Sequence, residues 1–154
     1  MPFVKVNGKS IFYTIDQNDD TPTKVTALLI HGLGSSSCFY KSITPKLQET
    51  VRCVSMDTPG SGLSELGNGE QSIETIANDA IGLLDELTIK EKIVVVGHSM
   101  GGIVASQIAA QYPDRVSGVV LLGPVNPSSK LTDAFEQRIK VVEKGKLSSR
   151  TMFI

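Results

Sequence analysis

An α/β fold built on a mostly parallel, doubly wound sheet is what this 154-residue sequence predicts. Two observations carry the prediction. Short runs that are apolar on both faces, Val25–Ile30, 93–96 and Val116–Leu122, read as strands buried between layers. Between them lie segments with apolar residues at three- and four-residue spacing, the pattern of amphipathic helices. Strands and helices alternating in this way make a parallel sheet with helices on both faces.

The elements follow in order. Phe3–Val6 and 10–15 flank Asn7-Gly8, a dipeptide suited to the two positive-φ positions of a type I′ turn, so the chain opens with an antiparallel hairpin. Residues 17–24 are polar and contain a proline, which makes them a loop. Val25–Ile30 is the first buried strand. Residues 38–48 read as one short helix, and Val51–Met56 as the next strand. Ile73, Ile76, Ala77, Ala80, Ile81, Leu84 and Leu87 form one apolar helical stripe, with Ser72 as its N-cap. A strand over 92–97 then runs into a helix over 101–111, closed by Tyr112-Pro113. Val116–Leu122 is another buried-type strand, stopped by Gly123-Pro124, and 131–143 is a final amphipathic helix.

The bulk numbers narrow the function classes. With 40% hydrophobic and 20% charged residues, a disordered or collagen-like chain is excluded. A net charge of −1 gives no electrostatic case for nucleic acid or an anionic membrane as partner. Cys38 and Cys53 form no CxxC pair, so neither a disulfide framework nor a metal site is expected. The N-terminus shows no basic leader before an apolar stretch, and no apolar run approaches the ~18 residues of a membrane span. A cytoplasmic protein is expected.

Three segments carry chemistry. Gly97-His98-Ser99-Met100-Gly101-Gly102 lies where a buried strand runs directly into a helix. A serine held at the top of a sheet needs a sharp, strained turn, with glycines where neighbouring backbone must pass. Ser99 would then lie at a helix N-terminus, where the Met100 N–H and the helix dipole favour developing negative charge. His31-Gly32-Leu33-Gly34 ends an earlier strand, and its Leu33 amide is the candidate second donor to an oxyanion. Asp57-Thr58-Pro59-Gly60-Ser61-Gly62-Leu63-Ser64 follows Val51–Met56. There Asp57 reads as a turn organiser bonding local amides rather than as a catalytic acid.

Taken in order and spacing, these three motifs resemble the α/β-hydrolase superfamily, most nearly small hydrolases similar to 3-oxoadipate enol-lactonase. The resemblance spans residues 3–143. It implies Ser99 as nucleophile, the Leu33 and Met100 amides as oxyanion hole, and His31, Gly32 and His98 at the substrate pocket. It implies a small ester, lactone or similar carbonyl substrate and adds no cofactor. Residues 1–143 would be the N-terminal part of the hydrolase domain and 144–154 an irregular tail.

One part of the pattern is missing. The family's acid and histidine follow later strands, and this chain contains only His31 and His98. His98 should point away from the Ser99 hydroxyl, and His31 should brace the oxyanion loop. Asp114 belongs to a turn, and Asp133 and Glu136 lie on the final helix. The chain is therefore expected to be truncated and nearly inactive, since loss of a triad member costs on the order of 10⁴–10⁶ in kcat. Val116–Leu122 would be an open apolar edge, a possible site of self-association. The competing reading is an inactive relative that binds a ligand or partner. A dinucleotide-binding domain is disfavoured, because His31-Gly32-Leu33-Gly34-Ser35-Ser36-Ser37 lacks the third glycine of G-x-G-x-x-G.

Overall fold

A computed structural model describes residues 2–18, 25–126 and 128–144. The strands are β1 (Phe3–Val6), β2 (Lys9–Asp16), β3 (Val25–Ile30), β4 (Val51–Met56), β5 (Ile93–His98) and β6 (Val116–Leu122). The helices are α1 (Thr44–Leu47), α2 (Ile73–Glu86), α3 (Met100–Gln111) and α4 (Ser129–Glu143), with 3₁₀ turns at Ser37–Tyr40 and Pro113–Arg115. One six-stranded sheet runs β1-β2-β4-β3-β5-β6. β1 and β2 are antiparallel to their neighbours, and β4, β3, β5 and β6 are parallel.

The hairpin forms as its dipeptide predicts, with Asn7 at φ 49° and Gly8 at φ 79°. α2 starts at a capping box: Ser72 Oγ accepts from the Thr75 amide, and Thr75 Oγ1 accepts from the Ser72 amide.

Alternation along β3 divides the interior into two layers. Leu28 and Ile30 face α2 and α3 in a core that includes Leu83, Leu84, Ile93, Val104 and Ile108. Ala27 and Leu29 face the opposite side, against Tyr40, Cys53 and Leu47. Burying one such side chain is worth roughly 1.5–3 kcal/mol, and both faces of the central strand are used. The sheet is doubly wound, as expected.

A buried ion pair fastens the hairpin to α2. Lys9 Nζ lies 2.5 Å from Asp79 Oδ2, with Asp79 1% exposed, and Asn7 Nδ2 donates to Asp79 Oδ1 at 2.9 Å.

Two expectations need correction. The single helix over 38–48 is instead a 3₁₀ turn followed by the one-turn α1. Pro45 disfavours helical backbone at the residue before it and brings no N–H, so it is tolerated only in a first turn. The buried-type reading of Val116–Leu122 also fails: Val119, Val120, Leu121 and Leu122 are 36–44% exposed. β6 pairs only with β5 and is the sheet edge. Burial needs partners on both faces and both edges; among the described residues β6 has α3 against it and β5 along one edge, and its other edge is open, as expected.

The expected loop 17–24 and tail 144–154 fall almost entirely outside the described residues. No helix among those described is long and apolar enough to cross a membrane.

Candidate active site

Ser99 is the single residue between the end of β5 and the first residue of α3. Its backbone sits at φ 53°, ψ −117°, a region that costs a non-glycine residue about 1–3 kcal/mol and is held only by its surroundings. The clamp consists of two backbone bonds. Ser99 N–H donates to the Leu122 carbonyl at 3.1 Å, and the Ser99 carbonyl accepts from Gly102 N–H at 2.9 Å. The elbow glycines are needed for space. A Cβ on Gly101 would collide with the Ile30 carbonyl oxygen, and one on Gly97 with the Gly101 backbone.

Gly32 brings the second loop against the serine: a Cβ there would lie 3.1 Å from Ser99 Cβ and 3.0 Å from His98 Nδ1. The loop turns through Gly34, at φ 74°, closed by Ser35 N–H donating to the Gly32 carbonyl. The Leu33 amide follows that carbonyl in the same peptide plane. Met100, the first residue of α3, has no intrahelical acceptor for its N–H.

The peptide plane is braced from behind. His31 is fully buried, with Nε2 receiving the Thr58 backbone N–H at 3.0 Å. An amide can only donate, so Nε2 is the acceptor and Nδ1 carries the proton, which it gives to the Gly32 carbonyl at 2.8 Å. Burial holds the His31 pKa below its usual value, against the opposing pull of the Gly32 carbonyl. Asp57 organises the adjacent loop. Its carboxylate accepts from the Ser37 amide at 2.7 Å and the Leu63 amide at 2.9 Å, and a Cβ on Gly62 would collide with it. The turn-organiser reading of Asp57 holds for Leu63. The Ser37 bond, made across 20 residues, had no sequence signal.

Two cavities share part of their lining. One of about 480 Å³ is bordered by Thr58, Ser61, Gln71, Ile73, Leu33 and Met100. The other, about 370 Å³, lies between α3 and α4 and is bordered by Ile103, Val125, Phe135, Ile139, Leu33 and Met100. Leu33 and Met100 border both, and Met100 is the residue that follows Ser99. His31, Gly32 and His98, expected at the pocket, border neither. His31 is consumed by its brace and Gly32 by its packing on the elbow. His98 stacks on Phe39 with ring centroids 4.1 Å apart. Neither histidine hydrogen-bonds Ser99, and the Ser99 side chain caps no helix amide.

Comparison with known proteins bears on this arrangement. The family model for the alpha/beta hydrolase fold matches residues 27–146. A cis-3-alkyl-4-alkyloxetan-2-one decarboxylase of Shewanella oneidensis is 32% identical over 123 residues, covering 78% of this chain and 37% of that protein. Among solved structures, a thermophilic esterase from Thermogutta terrifontis superposes with a TM-score of 0.81 at 30% identity, covering 94% of this chain and 53% of its own. The enol-lactonase from Burkholderia xenovorans LB400 gives 0.78 at 28% identity, covering 93% and 56%. The chain thus spans about two-fifths of the length of the curated relatives it matches.

Proposed function

Because this chain belongs to the α/β-hydrolase family, we propose that it carries the nucleophile and oxyanion hole of a serine hydrolase acting on a carboxylic ester, lactone or similar small carbonyl compound. The observation that carries this reading is Ser99 at positive φ on the β5–α3 elbow, with Gly32 packed against it. That strain is worth keeping only where a side chain must be presented at one spot. An esterase and an enol-lactonase among the relatives support an ester-level carbonyl as target.

In the proposed reaction the Ser99 Oγ attacks the carbonyl carbon and the oxyanion is held by the Leu33 and Met100 amides. Collapse of the tetrahedral adduct gives an acyl-serine and expels the alkoxide, which leaves as the alcohol once protonated. Water then attacks the acyl-serine, releasing the acid and restoring Ser99. A general base must take the Ser99 proton. His31 has both ring nitrogens committed and His98 stacks on Phe39, so we assign neither that role. The 154 residues alone should therefore turn over slowly.

The same two observations favour a second reading, a relative that keeps the pocket but binds without turnover. A serine-reactive fluorophosphonate separates the two. Labelling of the wild type at Ser99, abolished in Ser99→Ala, supports the hydrolase. No labelling even with imidazole added to take the Ser99 proton supports the binding protein.

A further inference from the structure

The 3₁₀ turn Ser37–Tyr40 touches all three motif segments within four residues. Ser37, at its start, gives its N–H to the Asp57 carboxylate at 2.7 Å. Phe39 stacks on the ring of His98, the residue before the elbow serine, with the two planes 19° apart. Tyr40, at its end, is fully buried and donates its hydroxyl proton to the Ile30 carbonyl at 2.8 Å. Phe39 and Tyr40 meet edge to face at 5.1 Å, so the two aromatic anchors brace each other.

The Ile30 carbonyl occupies a junction. Ile30 ends β3, and His31 and the Gly32–Gly34 loop hang from it. Its oxygen is the atom that a Cβ on Gly101 would strike, so the first turn of α3 is packed directly on it. Across the sheet Ile30 is in register with Gly97, two residues before Ser99. Tyr40 belongs to the layer opposite α3, and the oxygen is therefore gripped from both faces of the sheet. Close-packed backbone of this kind passes a displacement on rather than absorbing it. Burial pushes the Tyr40 pKa up, against an opposing pull from the His98 backbone, so the hydroxyl remains a donor at any pH near neutral.

We propose that Tyr40 is a positioning residue: through the Ile30 carbonyl, its hydroxyl fixes the spacing between the Leu33 amide on one loop and the Met100 amide on the elbow. It touches no reacting atom. The use of those amides for an oxyanion rests on the hydrolase reading; the control of their spacing does not.

Tyr40→Phe keeps the ring and removes the hydroxyl, and two readouts test it. The first is fluorophosphonate labelling of Ser99 with imidazole present, followed over a range of probe concentrations. The limiting rate should fall about ten- to a hundredfold, the scale set by misplacing a donor by about 1 Å, with the half-saturating concentration unchanged. The second is the ¹H–¹⁵N spectrum of the free protein, in which the Leu33 and Met100 amides should be displaced. Leu47→Ala, which truncates a side chain of the same layer, is the control for a merely structural role. It should lower Tm at least as much while leaving the limiting rate and both amides in place.

An unchanged limiting rate in Tyr40→Phe would overturn the proposal and leave the hydrolase reading standing. Equal rate losses in Tyr40→Phe and Leu47→Ala would also overturn it. A wild type that stays unlabelled would remove the hydrolase reading. The spectra alone then decide for Tyr40: displaced amides support the positioning role, and unmoved amides overturn it.

Discussion

The Thr58 backbone N–H and the His31 ring meet at 3.0 Å in the interior, and this contact sets the tautomer that lets His31 hold the Gly32 carbonyl. The peptide that His31 holds is the one whose N–H belongs to Leu33. A bond made behind the site thereby orients a donor within it.

A pH dependence follows. Burial lowers the His31 pKa, so the fold favours the neutral ring, while the unfolded chain protonates near 6.5. The His31 contribution is complete above that value. It declines as pH falls below it, because the unfolded state then binds a proton that the fold resists, with a slope no steeper than about 1.4 kcal/mol per pH unit. Urea midpoints measured from pH 8 to pH 5 should fall for the wild type. They should fall less for His31→Gln, which starts lower but has no proton to gain at this position. Parallel pH profiles would refute the brace.

The strain at Ser99 predicts a stabilising change. Ser99→Gly relieves a positive φ that costs a serine backbone about 1–3 kcal/mol. Set against the entropy of a new glycine, a net gain of about 1 kcal/mol is expected, or roughly 2–4 °C in Tm for a chain this size. Ser99→Ala, which keeps a Cβ at the same φ, should gain much less. Equal midpoints for the two variants in a melting experiment would argue against strain.

Close approach predicts the opposite at Gly101. A methyl group there meets the Ile30 and His31 carbonyl oxygens, both fixed backbone atoms. Gly101→Ala should cost 1–3 kcal/mol or more. Denaturant unfolding is the measure, and a loss below about 0.5 kcal/mol would mean that α3 shifts freely against β3.

The Lys9–Asp79 pair provides a fourth test. Asp79→Ala leaves a largely buried ammonium without its counter-charge and should cost about 3–5 kcal/mol. The double substitution Lys9→Met with Asp79→Leu removes both charges and should recover most of that loss. If the double variant is as unstable as Asp79→Ala, the pair contributes more than mutual neutralisation.

The sequence by itself determined the sheet, the elbow and the loop that faces it. Those features rest on local rules: two-sided apolar strands, a capping serine at Ser72, Asn7-Gly8 in a tight turn, and glycines where backbone must pass. The fate of 38–48 was also written locally, in Pro45, although the segment reads as one short helix. Tertiary structure alone decided what depends on distant partners. Asp57 reaches Ser37, Thr58 reaches His31, Phe39 covers His98, and Lys9 finds Asp79 across the hairpin and α2. The edge position of β6 was expected from the sequence, and the structure adds how far its apolar side chains are exposed there. Apolar pattern fixes which residues favour burial. Whether they are buried depends on a neighbour arriving, and that is a property of the assembled fold.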